Sequence, residues 1–360
     1  MAPTTDATTS LETKHEEPFS FLIALCSCFA LTTIATPLLK TTSSSGTQIR
    51  MKAIACLGLA LAADGWETTA FRTPPPHQHR QSASSSSSPL FALHAQSNTD
   101  NEVSTISFDS IPGKRVLVVG GSGRVGGSVV TQLVKRGAHV TVGGTNEESF
   151  LSSQARWEQT FGESFSTKDV DFVKLDRENA ESVASALQKN GVSSYDLVVH
   201  TAGPFQGKVD TPNGVIEASI DNGVPYVDVC DDYCTATAAK TKFGAKATEK
   251  NVPAIVSTGC WPGVSSLMAK QLTLKALASN KELKPEDLTV DFGFFTAGSG
   301  GAGSILLVAT FLILAEEALT IVKSRRTPVK AMKDYSTVNF GSIVGDKPIA
   351  HLNLLETASV

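Results

Sequence analysis

The sequence has 360 residues and 37.9 kDa, with 41 % hydrophobic and 18 % charged residues. That is enough apolar material for about two domains with buried cores, and it excludes a wholly disordered or fibrous chain. The balance of 31 Lys and Arg against 35 Asp and Glu leaves a net charge of −4, without the basic excess that phosphate-backbone binding needs. No nucleic-acid partner is therefore expected, and a small-molecule substrate is. Six cysteines are too few for a disulfide scaffold, and only Cys230, Cys234 and Cys260 lie beyond residue 100, so this part of the chain is expected to work reduced.

Residues 1–100 read as a disordered leader. They hold 28 Ser and Thr, including the run 84–88, and lack sustained amphipathic periodicity. Residues 21–39 carry no charge and are long enough to touch or span a membrane. Glu12, Glu16 and Glu17 before them are the wrong flank for a signal peptide. A better signal is 51–70, with Lys52 as its basic start, a short apolar run over 53–63, and Ala70 as the small residue before Phe71. From Arg72 to Thr99 there is no acidic residue, which makes 71–100 transit-like. The junction Thr69-Ala70-Phe71 resembles the Ala-Phe motif at which diatom-type algae with secondary plastids cleave bipartite presequences. A plastid (chloroplast) location is expected. The alternatives are an ordinary secretory or single-anchor membrane protein, or a leader without an address, and either Met1 or Met51 serves as initiator.

Beyond Ser110 the texture changes to short apolar runs alternating with helical patterns about every 25 to 30 residues, the rhythm of βαβ units. Strands are expected at 115–119, 139–142, 171–175, 196–200, 225–229 and 253–256, with helices at 125–136, 147–161, 178–190, 211–222 and 235–250. Right-handed crossovers make these an α/β doubly wound parallel sheet spanning 111–258.

The motif Gly120-Gly121-Ser122-Gly123-Arg124-Val125-Gly126 directly follows the apolar strand 115–119 and opens a helix. Gly121 permits a tight turn. Gly123 lets backbone N–H groups approach a pyrophosphate, and Gly126 lets the helix pack close to the strand. In this strand-turn-helix context the motif points to a dinucleotide. An NAD site would place Asp or Glu at the end of the second strand to bind the ribose 2′-hydroxyl, yet Gly143-Gly144-Thr145-Asn146 stands there. Thr145 and Asn146 can donate to a 2′-phosphate and Arg124 can supply charge, which favours NADP over NAD. The plainer reading is that Arg124 is a solvated loop residue and Thr145-Asn146 caps the next helix. Asp176, after the third strand, either accepts from the adenine amino group or is a surface residue.

The fourth strand ends in His200-Thr201-Ala202-Gly203-Pro204, where small Thr201, Ala202 and Gly203 let a cofactor cross the sheet edge. The fifth ends in Asp228-Val229-Cys230-Asp231-Asp232. These stretches hold possible acids and bases, but His200 reads equally as a satisfied strand-end histidine and Asp231-Asp232 as a helix cap. Cys230-x-x-x-Cys234 lacks zinc-type spacing, and no metal is expected. No tyrosine has a lysine four residues later, so Tyr-x-x-x-Lys reductase chemistry is not expected. No catalytic residue is assigned.

In order and spacing, GGSGRVGGSVV (120–130), VVHTAGPFQ (198–206), VPYVDVCDD (224–232), STGCWPGVSSLMA (257–269) and FFTAGSGGAGSILLVATFL (294–312) resemble the saccharopine dehydrogenase-like oxidoreductases, particularly a plant and algal plastid branch. The resemblance covers roughly 115–315. It implies an NADP-binding Rossmann domain followed by a mixed-sheet substrate domain, with 122–125, 201–204 and Gly259 around the cofactor. It implies hydride transfer and does not name the substrate, because a fold does not carry its chemistry with it.

Residues 259–360 are expected to form a partial α+β substrate domain. It comprises a helix at 264–279, a strand at 288–295, a glycine loop at 298–303, a buried helix at 304–322, and strand-like stretches at 337–340 and 351–355. Relatives continue beyond this point. The apolar run from Ile305 to Leu314 needs covering, so self-association as a homo-oligomer is also expected.

Overall fold

The computed structural model describes residues 111–162, 165–189, 192–207, 214–297, 304–322, 325–341 and 344–359, together with the backbone alone of 33–35, 38–41 and 49–58. The expected leader at 59–110, its Ala70-Phe71 junction and the glycine loop 298–303 lie outside the described residues. So does 21–39, apart from the strands Thr33–Ala35 and Leu38–Thr41.

The first domain is one parallel six-stranded sheet. Its strands are β1 (Arg115–Val119), β2 (His139–Gly144), β3 (Val170–Lys174), β4 (Leu197–His200), β5 (Tyr226–Asp228) and β6 (Ala254–Ile255), in the spatial order β6-β5-β4-β1-β2-β3. The order reverses beside β1, as in a doubly wound fold, and places the switch point between β1 and β4. The run Val116 to Val119 is buried throughout, as a strand covered on both faces requires.

Alternate side chains go to opposite faces. Val116, Val118, Val140, Val142 and Val199 pack under α1 (Arg124–Lys135) and α2 (Glu147–Phe161), whose Val129, Val130, Leu133, Phe150 and Trp157 fill that layer. Leu117, Val119 and Val198 face α3 (Ala180–Leu187), α4 (Gly214–Asp221) and α5 (Tyr233–Glu249). The register sets Gly143, Val119, His200 and Asp228 in one row across the carboxyl edge. That row positions the candidate site.

Element types within 111–258 agree with the sequence reading except that the helix expected over 178–190 ends at Leu187, after which Gln188–Lys189 pairs antiparallel with Val192–Ser193, and α2 agrees to the residue. Ends differ where caps decide them. Asn179 accepts from the Ser182 N–H (3.0 Å), so α3 starts at 180 instead of 178, while Asp232 accepts from the Thr235 N–H (2.7 Å), so α5 starts at 233.

The second part opens with α6 (Val264–Ser279), as expected, and continues into β7 (Leu288–Ala297). Along its full length β7 pairs in parallel with a strand at Ile49–Gly58, from Leu288↔Ile49 to Ala297↔Gly58. The two shorter N-terminal strands add antiparallel to this one, so the sheet is mixed. Residues 51–58, read from sequence as signal-like, thus have a place in the fold.

Three expectations fail here. The helix expected over 304–322 stops as α7 (Ser304–Ala315) because Glu316-Glu317 and the β-rich Leu319 to Val322 turn the chain into β8 (Glu317–Val322), which pairs with β9 (Arg325–Lys330). Nor is α7 buried, since Leu307, Val308, Phe311 and Leu312 are all exposed. Residues 351–355 form no strand. The hairpin partner of β10 (Ser336–Asn339) is β11 (Asp346–Ile349), joined through left-handed Gly341 and Gly345. By Leu355 the chain has crossed to pack with Phe205, Cys230 and Ala236 before ending in α8 (Glu356–Ser359).

Candidate dinucleotide site

The loop between β1 and α1 owes its shape to missing side chains. Gly120, and not Gly121, is the left-handed residue (φ 80°), and a Cβ there would lie 2.9 Å from the backbone and Cβ of Ala202. Gly121 is required for another reason, since its Cβ would meet Val142 at 2.9 Å. Gly126 is the tightest in this loop: a Cβ would sit 2.2 Å from the Gly120 carbonyl oxygen and 2.6 Å from Thr201 Oγ1. This confirms Gly126 as the point where helix and strand close on each other.

Gly123 caps α1 in extended conformation without a side-chain cap, so the first-turn N–H groups face the carboxyl edge with no intrahelical acceptor. Ser122 Oγ is buried there with no hydrogen-bond partner, while Arg124 and Val125 are exposed at the helix mouth. An anion fits this arrangement.

Across the switch point, Thr201 donates to the Val119 carbonyl from both its N–H and its hydroxyl, each at 2.9 Å. This brings Thr201, Ala202 and Gly203 against the glycine loop, as the sequence reading required. On the other side, Gly144, Thr145 and Asn146 end β2. Asn146 Oδ1 accepts from the Ser149 N–H (3.1 Å) and caps α2, which leaves its Nδ2 and the exposed Thr145 hydroxyl pointing outward to solvent as donors. Gly143 is crowded by Leu117 and Leu175 at 3.3 Å, whereas a Cβ on Gly144 would meet nothing closer than Phe172 at 3.8 Å. Asp176 is exposed and accepts from the Glu178 N–H (3.0 Å) in a local turn.

Sequence reasoning missed Arg177. From the loop after β3 its guanidinium donates to the carbonyls of Ala202 and of Pro204 (3.1 Å to the latter), and its Nε pairs with Glu178 at 3.0 Å. It ties the loop on the β3 side to the loop after β4. A lone Arg in a Leu-Asp-Arg-Glu-Asn run carries no signal for carbonyls 25 and 27 residues away.

The titratable groups expected at the ends of β4 and β5 are mostly structural. His200 Nδ1 and the Tyr226 hydroxyl are 3.1 Å apart, and Tyr226 donates to Asp228 Oδ2 at 2.9 Å, all three buried. Asp228 Oδ1 accepts from the N–H groups of Cys230 (3.0 Å) and Ser257 (2.7 Å), and its carbonyl accepts from Thr258. One carboxylate therefore ties β4, β5 and the segment after β6. His200 is thus held at the strand end through its Nδ1.

Burial pushes the Asp228 carboxyl up to about 6, against the opposing pull of the Ser257, Cys230 and Tyr226 hydrogen bonds. Burial, helped by the nearby Asp228 charge, also pushes the Cys230 thiol upward, which keeps it protonated and excludes thiolate chemistry. Asp232 is the cap of α5. Asp231 accepts from Gln206 Nε2 (3.0 Å), and burial raises it too.

A family model described as the saccharopine dehydrogenase NADP binding domain matches residues 116–258, from β1 to just past β6. This is an NADP-binding domain. Among curated proteins, a very-long-chain 3-oxoacyl-CoA reductase of Laccaria bicolor is 31 % identical over 109 residues, 29 % of this chain and 31 % of that protein. Among solved structures, an epimerase of Methanothermobacter thermautotrophicus shares 26 % identity over 34 % of this chain and 36 % of its own (TM-score 0.24). A 2-keto-3-deoxy-D-gluconate dehydrogenase of Streptococcus agalactiae shares 16 % over 41 % and 67 % (TM-score 0.32). The chain spans about a third of the curated relative and of the epimerase.

Two outcomes are expected for the NADP-binding domain. Because Asp228 is held above the ordinary carboxylate value, its contribution to stability is complete below about pH 4 and is lost as pH rises through about 6. Asp228→Asn keeps the acceptor for the two N–H groups and removes the charge. Between pH 4 and 7.5 the stability difference, read by urea denaturation, should shift in the variant's favour by up to roughly 3 kcal/mol. Arg177→Met should weaken NADPH binding about tenfold in calorimetry, and Arg177→Lys should recover only part, since an ammonium cannot fork to two carbonyls.

Proposed function

We propose that the chain is an NADP-dependent oxidoreductase of the saccharopine dehydrogenase-like family, passing hydride to or from a carbonyl, imine or alcohol. One observation carries the reading: a glycine loop at an uncapped helix start stands beside a β2 end with no carboxylate in Gly143 to Asn146. The domain match supports the same cofactor. When bound, NADP supplies or accepts the hydride.

The chain's own residues do the rest. The first-turn N–H groups of α1 hold the pyrophosphate, with Ser122 Oγ as a further donor, and Gly120, Gly121 and Gly126 leave the room for it. Arg124, Thr145 and Asn146 Nδ2 take the 2′-phosphate. Thr201 to Gly203, held in place by Arg177, would leave room for the nicotinamide half at the sheet edge. The engagement of His200, Asp228 and Asp232 in structural hydrogen bonds favours a second reading, an NADP-binding scaffold without turnover. Substrate-dependent NADPH consumption across a panel of carbonyls and imines supports the enzyme, and binding with no turnover supports the scaffold.

NADPH should bind more tightly than NADH. Gly144→Asp, which the open space at that position accommodates, should invert or erase the preference by repelling the 2′-phosphate. Equal affinities for the two cofactors in the unchanged protein would overturn the assignment.

We further infer a plastid location from the signal-like 51–70 and the acid-free run from Arg72 to Thr99, a reading under which the pairing of 49–58 with β7 belongs to the uncleaved chain. Residues 51–100 fused to a fluorescent protein should enter the plastid of a diatom-type cell, and Phe71→Ala should divert the fusion. Cytosolic fluorescence would contradict this.

A further inference from the structure

Helix α7 contains no charged residue and shows a stripe of large apolar side chains to solvent. Leu307 (51 % exposed), Val308 (46 %), Phe311 (70 %) and Leu312 (38 %) recur at the spacing of one helix face, while Ala309 on the opposite side is buried. Isolated exposed leucines are ordinary on protein surfaces, but a contiguous face is not. Twelve residues at about 1.5 Å each span about 18 Å, well short of the ~30 Å hydrocarbon core. Among the described residues no helix is long and apolar enough to cross a membrane. What fits is a helix lying along a surface with one side anchored in the protein.

The charge of the following segment says which surface. Residues 318–333 contain Lys323, Arg325, Arg326, Lys330 and Lys333 and no acid, in a chain whose net charge is −4. Arg325, Lys330 and Lys333 are exposed, as is the apolar Ile321 on β8. Three acids border this segment, Glu316, Glu317 and the exposed Asp334. Glu317 stands opposite Lys330 in the hairpin, and Glu316 accepts from Asn353 Nδ2 (2.6 Å). Arg326 is spent within the protein, donating to the Tyr233 hydroxyl at 2.6 Å. An apolar face followed, after Glu316 and Glu317, by a hairpin whose remaining charges are all cationic matches the boundary between acyl chains and anionic headgroups. A second copy of an acidic chain offers no such segregation by depth.

We propose that α7 and the β8–β9 hairpin form a peripheral docking surface for an anionic lipid bilayer, with Leu307, Val308, Phe311 and Leu312 inserted and Arg325, Lys330 and Lys333 at the headgroups. This proposal does not rest on the NADP assignment.

The test is amide hydrogen exchange on the full chain, with vesicles of phosphatidylcholine alone and with vesicles of phosphatidylcholine and phosphatidylglycerol in equal parts. A local readout separates this surface from any lipid binding by 21–39. Amides of 304–315 and 325–333 should gain protection with the mixed vesicles, gain little with phosphatidylcholine alone, and lose the gain at high salt. Leu307→Ser with Phe311→Ser, or Arg325→Glu with Lys330→Glu, should lower vesicle affinity at this surface about tenfold or more. NADPH binding should be unchanged in both, showing that the fold persists. No vesicle-dependent protection in 304–333 would overturn the proposal. So would protection that appears without lipid, rises with protein concentration and vanishes in Phe311→Ser, which would make this face a contact between copies of the chain.

Discussion

The contact between the first turn of α1 and the end of β4 sets the geometry of everything at the carboxyl edge. Gly126, the Gly120 carbonyl and Thr201 meet where no additional carbon fits, and Thr201 closes the approach with two hydrogen bonds to the single carbonyl of Val119. Each such bond contributes about 0.5–1.5 kcal/mol net. Their larger effect is geometric. They hold the loop after β4 against the glycine loop, so that the helix start, the small residues 201–203 and the end of β2 lie together at the carboxyl edge.

Further along that edge, at the end of β5, the dominant effect is desolvation. Asp228 lies fully inside, and three donors aimed at it lower its carboxyl by less than burial raises it. The same carboxylate joins β4, β5 and the segment leading into α6, so the entrance to the second domain is fixed through one ionisable group. The interior thus holds a charge where an apolar residue would be cheaper. What the charge provides is directionality, because only an acceptor with several lone pairs can receive Tyr226, Cys230 and Ser257 together.

Much of this was legible from the sequence because it rests on local pattern. The apolar run 115–119, the glycine motif and the caps at Asn146 and Asp232 are short-range signals, and each led to the right element. The absence of a carboxylate at 143–146 was legible in the same way. The role of Gly120 was not, because its left-handed turn depends on the approach of Ala202, which is distant in sequence. Arg177 escaped for the same reason. The second part was read less well: a continuous apolar stretch from Ser304 looked like one long helix, and only the pairing of Glu317 to Val322 with Arg325 to Lys330 divides it. Residues 351–355 alternate like a strand but are drawn instead toward the Phe205 and Cys230 cluster.

The strand at Ile49–Gly58 places a time limit on its own neighbourhood. Its partner β7 is 230 residues further along the chain, as 288 minus 58 gives. At the usual pace of synthesis, about 5–20 residues per second, the apolar run stays without that partner for roughly 10 to 50 s after it leaves the ribosome. Once the ten parallel pairs with β7 have formed, the same backbone is no longer available as an extended ligand. Any cellular factor that recognises this run as an extended ligand must therefore act before that pairing forms, and a delay in elongation between the two strands would widen its window.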